Sequence, residues 1–155
     1  MYAWPGLCKV GENHLIAIAT ERKYHVCPFG RLVIMRSEDG GDTWTQPHEI
    51  YNSELDDRDP AIVAMADGTL VTGFPTTHEF ANPRWSRPEW QARIDRLSEK
   101  IINEIDGDWC IRSTDGGTTW ESTPHRLPIG GSEHSGPFAF SDGSLGCFGY
   151  ELDGN

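Results

Sequence analysis

The sequence predicts an all-β fold assembled from repeated four-stranded units, the pattern of a partial β-propeller. Two observations carry this: one motif occurs twice, and one strand–turn–strand pattern occurs three times. The motif Ser37-Glu38-Asp39-Gly40-Gly41-Asp42-Thr43-Trp44 returns as Ser113-Thr114-Asp115-Gly116-Gly117-Thr118-Thr119-Trp120. Both copies follow S-x-D-x-G-x-T-W, and internal repetition of this kind points to a repeat architecture.

The chemistry of the motif is that of a turn. Asp39 and Asp115 can accept hydrogen bonds from backbone N–H groups within the reversal. Gly41 and Gly117 supply a backbone with positive φ. Thr43 and Thr119 return the chain to strand geometry, and Trp44 and Trp120 offer large rings to pack between neighbouring sheets. Ser37 and Ser113 open the motif. None of this requires a substrate, so all ten residues read as structural.

The hairpins have their own pattern. Leu7 to Ala17, Ile62 to Val71 and Phe138 to Cys147 each read as strand, turn, strand, the last two around Asp67-Gly68 and Asp142-Gly143. Leu15 and Leu70 lie 55 positions apart, the length of a four-stranded blade. On that spacing the chain of 155 residues holds about two and a half blades, with a third motif expected near position 169, beyond Asn155.

The second unit carries extra residues between its hairpin and its motif. Ser86-Arg87-Pro88-Glu89 has the form of a capping box with proline in the first turn. Trp90, Ile94, Leu97, Ile101 and Ile105 lie beyond it at helical spacing, and Asp106-Gly107 provides a stop. The pattern predicts one inserted amphipathic helix of about 16–19 residues within 86–106. Such a helix either packs on the side of the fold or covers its binding face.

Composition narrows the function. The formal net charge of −11 disfavours nucleic acid and anionic membranes as partners, although a local arginine pocket can still hold a small anion. No apolar run approaches the roughly 20 residues that membrane insertion needs. Met1-Tyr2-Ala3-Trp4-Pro5 has neither a basic start nor an apolar core, so no signal peptide is visible. Cys8, Cys27, Cys110 and Cys147 form no C-x-x-C pair, and no metal or cofactor is implied.

The repeated motif, the Asp-Gly hairpins and the unit length resemble the sialidase superfamily, whose repeat is the Asp box. Three further stretches fit. Ile16-Ala17-Ile18-Ala19-Thr20-Glu21-Arg22 resembles the apolar strand ending in arginine of the first sialidase blade. Arg58-Asp59-Pro60-Ala61-Ile62 resembles the start of the second, and Ser135-Gly136-Pro137 with Tyr150 resembles the third. The resemblance implies an N-terminal portion of a six-bladed propeller, 1–155, with Asp boxes at 37–44 and 113–120. It implies an exo-acting glycosidase for a terminal, acidic sugar, a glycan substrate as partner, and a secreted or periplasmic location. The alternatives are another carbohydrate-active chemistry on the same fold, such as a lyase or a hydrolase of a non-sialic sugar, and a non-catalytic glycan-binding propeller.

In this family arginines bind the substrate carboxylate, a Tyr–Glu pair is the nucleophile and an aspartate is the acid/base. The chain departs from the pattern twice. Ala3-Trp4-Pro5 stands where the family has an arginine triplet, and the loop after Arg22 holds no carboxylate. The Tyr–Glu pair is expected from later blades. On these grounds Arg22, Arg58, Asp57, Glu133, His134 and Tyr150 are candidate substrate-binding residues. Asp59 is the candidate proton-transfer group, with His25 as its substitute. With Ala3 replacing an arginine, carboxylate binding is expected to be weaker than in an ordinary sialidase.

Overall fold

Apolar residues alternate with polar ones along much of the chain, and strands arise from that period of two. The computed structural model describes residues 1–128, 132–133 and 136–150, with 132–133 and 149–150 described by their backbone. The first sheet runs β1 (Tyr2–Lys9), β2 (Leu15–Glu21), β3 (Arg31–Ser37) and β4 (His48–Tyr51), each antiparallel to the next. The second contains β5 (Asp56–Asp57), β6 (Ala61–Ala64), β7 (Leu70–Thr77), β8 (Gly107–Ser113) and β9 (His125–Arg126). Here β5 and β6 both pair with β7, which pairs with β8 and so reaches β9. Two short antiparallel pairs complete the set: β10 (Ser132–Glu133) with β13 (Gly149–Tyr150), and β11 (Phe138–Ala139) with β12 (Leu145–Gly146).

Alternation sets the core. Cys8, Ile16, Ile18 and Ile34 from the first sheet meet Ile62 and Leu70 from the second, and all six are buried. A second cluster joins Leu32, Phe74 and Ile111. The two sheets thus share one apolar interior, the arrangement that removes most apolar area from water.

Both predicted turns form as the sequence requires. Asp39 Oδ1 accepts from Thr43 N (2.9 Å) and Oδ2 from the Thr43 hydroxyl (2.6 Å). The Ser37 hydroxyl donates to Asp39 Oδ1 and accepts from Gly41 N, each at 2.8 Å. Asp115, Thr119, Ser113 and Gly117 repeat the network. Gly41 and Gly117 have φ of +106° and +84°. The two tryptophans differ. Trp120 packs against both core clusters, whereas Trp44 stays 39% exposed. The second turn lies on the first sheet: a Cβ at Gly117 would come 2.8 Å from Ile16 Cδ1, and Arg36 hydrogen-bonds the Gly117 carbonyl. At Gly41 a Cβ would meet only Leu15 and Trp44, on the adjacent strand and the turn of its own sheet.

The inserted segment corrects the expectation of one helix. A 3₁₀ turn at Pro88–Trp90 runs into α1 (Gln91–Ile94), and α2 (Glu99–Ile105) starts after a break. The break has a local cause. Ser98 takes an extended backbone and its hydroxyl accepts from Ile101 N, so it starts a new helix instead of continuing the old one. Ser86 caps nothing; Arg87 occupies the N-cap without a side-chain bond. The apolar spacing still gathers one face, because Trp90, Ile94, Leu97, Ile101 and Ile105 join Val26, Leu55 and Phe80 in one cluster. Arg126 binds the carbonyls of Asn103, Glu104 and Asp106, which anchors the end of α2.

Three X-Pro corners shape the strand entries. Trp4, Asp59 and Gly136 each precede a proline and have φ of +48°, +48° and +70°. Trp4 and Asp59 lie 55 positions apart, the same repeat as Leu15 and Leu70. The corners pack closely. A Cβ at Gly6 would lie 3.4 Å from the Pro60 carbonyl oxygen, and one at Gly136 would lie 2.1 Å from Ala61 Cβ.

Candidate functional site

The corners bring Trp4, at the bulged start of β1, beside Arg58 and Asp59, which lead into β6. Arg22, just past the end of β2, completes the group. Its guanidinium carbon lies 4.7 Å from the Trp4 ring centroid, and that of Arg58 lies 5.2 Å from the same ring. Both distances are cation–π contacts. His25 meets Trp4 edge-on at 5.4 Å between centroids and reaches Trp85 at 5.9 Å.

Each arginine already has carboxylate partners. Arg22 Nη2 donates to both oxygens of Asp56, at 3.0 and 2.7 Å, and Nε donates to the Tyr24 carbonyl. Both side chains of that ion pair are fully buried. Cys27 N also donates to Asp56. Burial holds the Asp56 carboxyl up at about 6, against the opposing pull of Arg22. Arg58 donates from Nε to Asp59 (3.1 Å) and from Nη1 to Glu79 (3.2 Å).

The structure therefore sorts the sequence candidates. It unites Arg22, His25, Arg58 and Asp59. It corrects the reading of Asp57 as a substrate ligand: this carboxylate is fully buried and accepts from Ser53 N, the Ser53 hydroxyl and the Thr76 hydroxyl. Burial pushes it up to about 7. Asp57 secures the β5–β7 edge and is part of the framework. Arg22 is held to Asp56 through Nη2, while its Nη1 is buried without a hydrogen-bond partner. His134 lies outside the described residues, as do the side chains of Glu133 and Tyr150, whose backbones lie on β10 and β13.

Trp4, Glu79 and Trp85 were not predicted as site residues. The 55-residue spacing of Trp4-Pro5 and Asp59-Pro60 was the signal that could have found Trp4. Glu79 and Trp85 enter through the long excursion between β7 and β8, where the repeat gives no guide. Elsewhere, a cavity of about 790 Å³ lies where the first sheet meets the insertion, lined in part by Glu21, Phe29, Tyr51 and Arg93. It shares only Arg22 with the corner cluster.

No family profile and no curated protein matches the sequence. Solved structures do resemble the fold. A protein of unknown function from Dyadobacter fermentans superposes with a TM-score of 0.66 at 21% identity, over 93% of this chain and 45% of that one. The Hadza microbial sialidase Hz136 superposes at 0.51 and 19% identity, over 81% of this chain and 24% of that one. The chain thus spans less than half the length of either neighbour. Its class is that of a mostly β protein of antiparallel sheets that shares its fold with part of a sialidase.

Proposed function

We propose that the two sheets are successive blades of an Asp-box β-propeller and that the protein is a sialidase-like glycoside hydrolase. The observation that carries this reading is the meeting of Trp4 and Arg58-Asp59, from X-Pro corners one repeat apart, with Arg22 at the end of β2. Strand ends that converge from separate sheets are where such scaffolds hold their sites. Fold likeness alone does not give activity, so the reading rests on these residues.

In this reading Asp59 moves the proton at the glycosidic oxygen, with its 3.1 Å bond from Arg58 fixing the carboxylate. His25, exposed beside Trp4, is the second group able to carry a proton there. Arg58 and Glu79 bind sugar hydroxyls, and Arg22 with Asp56 holds the floor. Turnover of a glycoside panel tests this, with Asp59→Asn and Arg58→Ala beside wild type. Loss of turnover in Asp59→Asn at an unchanged melting temperature supports it; full activity in both variants refutes it.

One observation favours a second reading, a glycan-binding propeller without catalysis. The 3.1 Å contact from Arg58 Nε already occupies one oxygen of Asp59. Saturable glycan binding with no turnover in the same panel would select it.

A further inference from the structure

We propose that the cavity where the first sheet meets the insertion binds a small organic monocarboxylate, held by Lys23 and Arg93. This site is separate from the corner cluster, with which it shares only Arg22, and it does not depend on the glycan reading above.

Donors without acidic partners gather in the wall of this cavity. Lys23 is exposed, and its Nζ lies 5.0 Å from the Tyr24 ring centroid. Glu89 attracts it and Arg87 repels it. Arg93 is half-buried; Nη2 donates to the Ser53 carbonyl at 3.3 Å, and the guanidinium carbon lies 5.4 Å from the Phe29 centroid. Among the described residues neither cation makes an ion pair. The two contacts of Arg93 fix its plane, so its remaining N–H groups are held in place before a ligand arrives. Arg22 lies in the same wall, and its Nη1 is a buried donor that the fold leaves unfilled, which native structures rarely allow. Tyr51 adds a hydroxyl with no hydrogen bond among the described residues. Burial, with the charge of Asp57, pushes it up to about 12, so it remains a donor at neutral pH.

Charge decides the class of ligand. Arg31 also lines the cavity but is bound to Glu21 and Glu49, as Arg22 is to Asp56. That leaves the cations Lys23 and Arg93 against Glu54, the one lining acid without an ion pair among the described residues. Two cations against one acid leave a single positive charge, which suits a monoanion and not a phosphate dianion. It stands out in a chain whose formal net charge is −11. Size adds a second requirement. At about 790 Å³ the cavity falls in the range of small-molecule sites and far exceeds a bare carboxylate, so the ligand carries a body, for which Ile105 offers apolar wall.

The test is calorimetric titration of the full-length protein with benzoate, methyl glucuronoside, benzamide and inorganic phosphate, at low and high salt. Benzoate and the glucuronoside present the same carboxylate on an apolar and on a hydroxylated ring. Saturable binding of either supports the site, and the tighter of the two tells a free organic acid from a sugar acid. Benzamide, the neutral counterpart of benzoate, and phosphate are expected to bind at least about tenfold more weakly. Carboxylate binding is expected to weaken as salt rises. Lys23→Gln and Arg93→Gln are expected to weaken it roughly three- to thirtyfold each. Glu54→Gln is expected to tighten it about two- to fivefold, because a repelling charge is removed. Lys23 and Glu54 are exposed, so their variants keep the test alive if Arg93→Gln fails to fold. Carboxylate binding unchanged in both Lys23→Gln and Glu54→Gln overturns the site. Benzamide binding as tight as benzoate, or phosphate binding tighter than both carboxylates, overturns the ligand class. No binding of either carboxylate overturns the inference and leaves the glycan reading standing.

Discussion

Trp4 and Asp59 share one φ: each is at +48°, each precedes a proline, and they stand one 55-residue repeat apart. The residue before proline normally adopts an extended backbone, so both positions hold conformational strain. Asparagine tolerates this region better than β-branched residues do. Asp59→Val is therefore expected to cost about 1–3 kcal/mol more than Asp59→Asn. Urea unfolding of the two variants measures the difference, and equal stability would show that the corner is not strained.

The buried pair of Arg22 and Asp56 gives a second prediction. Removing one member leaves the other charged and unpaired in the interior. Asp56→Ala is expected to cost about 3–5 kcal/mol, whereas replacing both residues with apolar ones of similar volume should cost far less. A double-mutant cycle in denaturant decides it.

Gly30 makes that pair possible. A Cβ there would stand 2.2 Å from Asp56 Oδ1 and 2.7 Å from the Asp57 carbonyl oxygen. Gly30→Ala is expected to destabilise by roughly 1–3 kcal/mol through overpacking. Thermal unfolding reads it, and an unchanged melting temperature would contradict the close approach.

Stability should respond to pH in two windows. Burial raises Asp56 to about 6 and Asp57 to about 7, above the ordinary 3.8. Their contribution to stability is present in full below 3.8 and is lost as pH rises through 6–7. Relative to Asp57→Asn, the wild-type protein should lose stability from about pH 4 upward, the loss being complete above about 7 once this carboxyl is ionised in the fold as well. The turn aspartates run the other way. Hydrogen bonds, first from the hydroxyls of Thr43 and Thr119, hold Asp39 and Asp115 down at about 2. Their contribution is present above 3.8 and is lost as pH falls through 2. Chemical denaturation at stepped pH, with Asp39→Asn for comparison, checks both signs.

The two repeated turns should be unequal in worth. Ser37 and Ser113 are both buried hubs of the same network. Each alanine replacement should cost about 1–3 kcal/mol. Ser113→Ala should sit at the upper end, because its turn also packs on Ile16 and Leu70. Equal losses would mean that contact between the sheets adds nothing to the turn.

Much of the fold was legible in the residues themselves. A motif such as Ser37 to Trp44 stores its own turn, because the side chains of Ser37, Asp39, Thr43 and Trp44 find their partners within the motif. The hairpins were legible for the same reason. What escaped was set by distance along the chain. Arg22 finds Asp56 across 34 positions, and no local pattern announces that choice. The helix break escaped because Ser98 is neutral in pattern and decisive only through its own hydroxyl. Trp4 looked like a departure from an arginine, and its contact with Arg58 needed the corners to meet.

The excursion between β7 and β8 begins and ends at one point, since Thr76 pairs with Gly107 and His78 N donates to Asp106. The strands on either side therefore keep their register whatever the length of chain carried between them. That makes the segment an exchangeable cassette. It carries a small apolar centre of its own, Phe80 and Trp90, which seals Val26 and Leu55 beneath it. Trp85 and Glu79 travel on the same piece. A graft that swaps this cassette for another of different length would keep the β7–β8 register and replace the Trp85 and Glu79 contacts of the corner cluster.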